Sequence, residues 1–124
     1  MARLPLANFR RSSIDQLIEE HLVGMVYDYS LIGKNNLEGE GGFWAWWHPA
    51  YNLIRISPDC SIKKDKYFEN LVIVHEWLHA YEDLILEMPT RFTENQIGWW
   101  AAYHNKKDPG LATYVRNKFA DFGF

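Results

Sequence analysis

The chain has 124 residues, a formal net charge of −3, 48% hydrophobic and 16% aromatic residues, and a single cysteine. That length suits one domain spanning residues 1–124 with a real core, and the aromatic content excludes a disordered chain. The mild negative charge argues against a nucleic-acid or membrane-surface binder, and the lone Cys60 excludes a disulfide framework or a cysteine zinc ribbon.

No apolar run reaches membrane-spanning length, and Pro5 and Asn8 interrupt the start before a signal-peptide core can form. A cytoplasmic protein with no membrane partner is expected. Ser13 and Gln16 have capping-box spacing, and Ile14, Leu17, Ile18, Leu22, Met25, Val26 and Tyr29 follow at helical spacing. They predict an amphipathic helix over 13–30, with His21 a half-buried structural residue near its apolar stripe. Residues 33–42 read as a flexible polar loop. Two β-rich runs, 43–47 and 51–57, read as a hairpin joined at His48-Pro49-Ala50. In the second run Ile54 and Ile56 alternate with Leu53, Arg55 and Ser57, the pattern of a sheet with one face on a core.

Asp65 is the expected N-cap of the next helix, which should end before Pro89. Within it His75-Glu76-Trp77-Leu78-His79 is an HExxH motif. Residues four apart share a helix face, so both imidazoles can ligate one Zn²⁺, and Glu76 projects beside them as a general base for a water activated by the metal. The bland alternative is a pair of core histidines satisfied by hydrogen bonds. Against it, Leu71-Val72-Ile73-Val74 and Ala80-Tyr81 make this helix apolar nearly all round, and polar groups buried there need partners.

Thr93 and Gln96 form a second capping box, opening a helix from Glu94 to about Asn105. Asp108 and Pro109 read as N-cap and first-turn proline of a last helix carrying Leu111, Tyr114, Val115 and Phe119, with Phe122 and Phe124 packing back on the domain. The order predicts a small single-domain α+β fold: an N-terminal helix, a β-hairpin or small sheet, the HExxH helix and C-terminal helices.

A catalytic zinc site has three protein ligands and a water, so one donor is missing. Glu82 and Ile85 stand where the metzincin pattern needs glycine and histidine, and NExxSD is absent. Glu82, three residues after His79, suits an acceptor that orients that ring better than a ligand. Glu94 lies just past the helix break at Pro89 and is the best-placed carboxylate, although favourable charge at a helix N-terminus would also explain it. His104 and His48 are its rivals. His104 lies roughly 15 Å along the same helix from Glu94, so both cannot be ligands. His104 and Tyr103 are the candidate donors to a developing oxyanion, and Trp44, Trp46 and Trp47 are either subsite walls or packing beneath the sheet.

The stretch from residue 52 to 104, with IRISP at 54–58 and HEWLHAY at 75–81, resembles the SprT/Spartan-type zincins. In those, a strand ending in a similar run feeds an HExxH helix, and the third ligand is a His at the position held here by Glu94. A glutamate there makes the site similar to the minigluzincins and the ImmA/IrrE-type peptidases, which use HExxH plus Glu. ENQIGWWAAY at 94–103 is similar to the helix of that second group. The resemblance implies a zincin fold and a zinc-dependent peptidase acting on a peptide or protein substrate, with His75, His79 and Glu94 as ligands and Glu76 as base. The zinc ribbon through which Spartan-type proteins bind DNA has no counterpart, so a DNA-repair role does not carry over. Two other readings stay open: a latent, zinc-stabilised module that binds a protein partner, with His104 or Cys60 closing the site, and a regulatory peptidase that cleaves one dedicated repressor.

Overall fold

A computed structural model describes residues 5–32 and 44–124. The elements are α1 (Arg11–His21), β1 (Gly24–Tyr27), β2 (Ala45–His48), β3 (Leu53–Ile56), α2 (Lys66–Tyr81), α3 (Glu94–Lys107) and α4 (Leu111–Lys118). Short helical turns lie at Pro5–Asn8, Cys60–Lys64, Glu82–Leu86 and Ala120–Phe122. The fold is of the expected α+β class. The polar loop read over 33–42, the first residue of the first β-run and residues 1–4 lie outside the described residues.

The first helix is shorter than its periodicity predicts. Its N-cap is Arg10, and Ser13 sits one turn in, its hydroxyl accepting the Arg10 N–H at 3.1 Å, so Ser13 closes the first turn from inside. The helix stops at His21 because Leu22 turns into the left-handed region (φ 56°), where its N–H and that of Val23 return to Ile18 and Leu17. Asn52 secures this end by donating to the His21 carbonyl at 2.7 Å. Met25 and Val26 then belong to a strand. Their helical register with Leu22 is coincidental, and Met25 is buried by pairing with β3.

The sheet order is β1-β3-β2, with β1 parallel and β2 antiparallel to β3. The hairpin is therefore correct, with a longer connection than expected that ends at Asn52 (φ 48°), a residue tolerant of that backbone. Ile54, Ile56 and Trp47 are buried under the sheet, facing α2. The alternation read from the second β-run is the observed one, except that Ser57 is also buried, donating to the Leu31 carbonyl.

Helix α2 packs against α1, α3, α4, β2 and β3, and is the spine of the molecule. Asp65 caps it, accepting from the Phe68 N–H at 2.8 Å. Trp77 is fully buried, its indole N–H directed at the Met25 sulfur at 3.4 Å. The helix widens into a π-turn at Glu82–Leu86 and ends at Glu87, whose φ of 48° halts it two residues before Pro89. The Thr93/Gln96 capping box forms as expected and starts α3.

Asp108 does not serve as N-cap of the last helix. Its carboxylate takes two hydrogen bonds from Arg11, both at 2.8 Å, which clasps α1 to the α3–α4 corner, and Gly110 precedes α4 instead. Tyr114 adds a second tie between the outer helices through Asp15, at 2.7 Å. Of the two C-terminal phenylalanines, Phe124 stacks on Tyr27 and Phe122 stays exposed. No helix among the described residues is long and apolar enough to cross a membrane.

Candidate metal centre

Helices α2 and α3 meet along their lengths, and the capping box at Thr93 begins α3 beside the motif face of α2. Glu94, the first residue of α3, thereby turns its carboxylate back onto both histidines. Its Oε1 lies 3.1 Å from His75 Nε2 and its Oε2 lies 2.8 Å from His79 Nε2, while the two Nε2 atoms are 3.2 Å apart. Three donors on a tetrahedron around an ion at ~2.0–2.1 Å would be separated by about 3.3 Å. The spacing fits a small divalent ion, and the three residues could hold one.

The electrostatics point the same way. Burial disfavours a charged His79, but Glu94, Glu76 and Glu82 outweigh it and raise the imidazole's affinity for a proton. The hydrogen bonds from His75 and His79 hold the Glu94 carboxyl well below the usual carboxylate range, although most of the side chain faces solvent. Three carboxylates thus surround two imidazoles, an excess of negative charge that a cation would relieve.

Glu82 is buried, with Oε1 3.5 Å from His79 Nδ1, and neither of these buried atoms has a hydrogen-bond partner. With the His79 proton on Nδ1, the imidazole presents its N–H to Glu82 and its Nε2 lone pair to the triad. The other Glu82 oxygen accepts the Phe92 N–H, which anchors the chain just before α3.

Glu76 is buried beside the triad. Burial raises its pKa, opposed by the two histidines and by a hydrogen bond from the main-chain N–H of Trp47. Trp47 is fixed in turn by its indole N–H, which donates to Asp83 at 2.7 Å, and Arg91 reaches the same carboxylate at 3.1 Å. These contacts join strand β2, the end of α2 and the approach to α3 into one frame.

His104 is not brought to this place. It is buried with Nε2 2.6 Å from the Leu6 carbonyl, packed on Phe9 and Trp100, and burial lowers its pKa. In place of the oxyanion-donor or ligand role read for it, its Nε2 is engaged by the Leu6 carbonyl. Tyr103 stacks on Trp99, His48 accepts from Arg55 at 2.7 Å, and Cys60 is buried with its thiol directed at the Trp44 carbonyl. None of them joins the triad. The three tryptophans divide: Trp47 lies under the sheet, Trp44 packs on Phe68, and Trp46 is half-exposed beneath Arg55.

Two hollows flank the centre, and Glu76, Glu94 and Ala45 line both. One, of about 460 Å³, includes His79, Arg91 and Phe92; the other, of about 360 Å³, includes His75, Phe68 and Gly98. Sequence reasoning missed Asp83 and Arg91. Asp83 stands four residues after His79, one turn along the same face, and that spacing was the available signal. The Trp47 N–H left none, since a main-chain donor has no residue signature. No protein-family model, curated protein or solved structure matches the chain.

Proposed function

We propose that this protein is a zinc-dependent peptidase that hydrolyses peptide bonds in the cleft between β2 and α3. The observation that carries the reading is the convergence of His75, His79 and Glu94, at mutual donor distances of 2.8–3.2 Å, beside buried Glu76. Two imidazoles and a carboxylate are a donor set of catalytic zinc sites, which keep a fourth position for water. The donors that could have closed that position, His104 and Cys60, are engaged elsewhere.

A bound zinc ion would supply Lewis-acid polarisation of the scissile carbonyl and a more acidic water. The chain's own residues do the rest. Glu82 fixes the His79 ring, and the Trp47 N–H holds the Glu76 carboxylate at the cleft. Glu76 takes the proton from the attacking water and hands it to the leaving amine, so that one carboxylate serves as base and then acid. Among the described residues β2 lies at an edge of the sheet, and the Ser57 N–H donates to the Trp44 carbonyl. In the antiparallel alternation that follows, Ala45 and Trp47 turn their main-chain groups away from β3; the Trp47 N–H is taken by Glu76, and the Ala45 groups and the Trp47 carbonyl are where an extended peptide could pair.

The purified protein should carry or take up one zinc per chain, and His79→Ala should abolish tight uptake. Glu76→Gln should keep the zinc and lose cleavage of unfolded protein by at least ~10²-fold. Full zinc content in the His79 variant would remove the metal centre. Wild-type protein inert toward unfolded substrates, with a fourth protein ligand on its zinc, would replace the enzyme by a closed, partner-binding module.

A further inference from the structure

The two hollows beside the triad differ in chemistry. The one next to His79 contains Arg91, whose guanidinium is already matched by Asp83 at 3.1 Å and Glu82 at 3.6 Å. Its charge is spent on the frame of the site, so this side offers no unmatched cation to an acidic side chain. Apart from His75, Glu76 and Glu94 of the centre itself, the hollow next to His75 is lined by apolar residues. Phe68, Leu71 and Val72 of α2 form one wall, and Gly98, Ala101 and Ala102 of α3 form the other.

The space exists because α3 places small residues at this crossing. Gly98 lies one turn beyond Glu94 on the same face, and a Cβ there would meet nothing nearer than His75 Nδ1 at 4.0 Å. Ala102 continues the row by another turn and is exposed. Glycine costs stability inside a helix, and no close contact here requires it. Its effect is to leave room directly against the triad.

We infer that this hollow selects the substrate: an extended peptide lies along β2, and a bulky apolar side chain flanking the scissile bond fills the space between Phe68, Leu71 and the Gly98/Ala102 face. The inference rests on the peptidase reading and names the substrate class for it. Peptide main chain along the strand brings alternate side chains to the cleft face, where Ala45 is too small to obstruct the hollow. An aromatic or long aliphatic side chain leaves water for apolar walls, whereas an acidic one would lose hydration beside the carboxylates of Glu76 and Glu94.

The test separates selection from catalysis. Zinc-loaded Glu76→Gln protein is titrated calorimetrically with two peptidyl hydroxamates that differ only in a benzyl or a methyl side chain next to the metal-binding group. The benzyl ligand should bind at least ~10-fold tighter, as expected for several extra carbons in an apolar pocket. Adding Ala102→Phe should erase the margin while leaving zinc content unchanged, and Gly98→Leu provides a second filling of the same space. In parallel, wild-type cleavage sites in an unfolded protein, mapped by mass spectrometry, should show Phe, Leu, Met or Tyr enriched at one position beside the cut. Equal affinity for the two ligands, or a margin that survives both fillings, overturns the inference. A margin that Ala102→Phe erases, with no cleavage by the wild type, supports the selective hollow and sinks the peptidase reading instead.

Discussion

Helix α2 carries two buried glutamates seven residues apart, about 10 Å along its axis, and they are treated in opposite ways. Glu69 is fully enclosed and fully matched: Arg116 donates to its Oε1 at 3.0 and 2.8 Å, and the Tyr27 hydroxyl donates to Oε2 at 3.0 Å. Glu76 is nearly as buried but faces a cleft, with a main-chain N–H and two imidazoles around it and no guanidinium. The first arrangement fixes a charge as part of the core. The second leaves a carboxylate under pressure to take a proton, as the general base proposed above would need.

The sharpest way to break this comparison is at Glu69. Arg116→Ala strands a buried carboxylate and should cost about 3–5 kcal/mol in urea denaturation. Glu76→Gln should change stability by less than about 1 kcal/mol, because no strong partner is lost. Equal losses would mean that both glutamates are structural.

A smaller effect is expected one turn beyond the triad. Glu82→Gln keeps the side chain's shape but removes the carboxylate facing His79 Nδ1, and should weaken zinc affinity about 10–100-fold in competition with a chelator. Unchanged affinity would show that Glu82 serves only the Phe92 N–H.

The last effect concerns alkaline pH around Glu69. Burial and the Glu69 charge push the Cys60 thiol up from 9.0 to about 12, and burial with the same carboxylate raises Tyr27 above its ordinary value. The unfolded chain therefore releases these protons first, so stability is fully present below pH ~9 and falls as pH rises towards about 12. Cys60→Ala should flatten part of that slope in denaturation curves measured between pH 8 and 11. A slope unaffected by the substitution would remove Cys60 as its source.

What the sequence reveals here follows from how local each feature is. The motif face, the Asp65 cap, the Thr93/Gln96 box and the helices over Lys66–Tyr81 and Glu94–Lys107 depend on neighbours within a turn or two, and they are legible. The return of Glu94 to the histidines was legible as well, because Pro89 and the capping box restrict where α3 can start. β1 was not. Its residues share a register with the preceding helix, and only pairing with Leu53–Ile56, nearly thirty residues away, makes it a strand. Asp108 misled for the same reason: besides the local Gly110 N–H, its carboxylate takes the distant Arg11, and α4 starts only after Gly110. The burial of His104 against the Leu6 carbonyl is likewise a long-range event, with no trace in the helix that carries it.

The Arg11–Asp108 clasp joins positions 97 apart in the chain, whereas the His75–Glu94 contact joins positions 19 apart. Gathering chain ends over those spans differs by ~1.4 kcal/mol of closure entropy in favour of the shorter loop. On that term alone the three donors can come together while the outer helices are still apart. The clasp closes the longer loop with an exposed ion pair at the other end of α3 from Glu94, so the centre and the clasp are built at opposite ends of one helix.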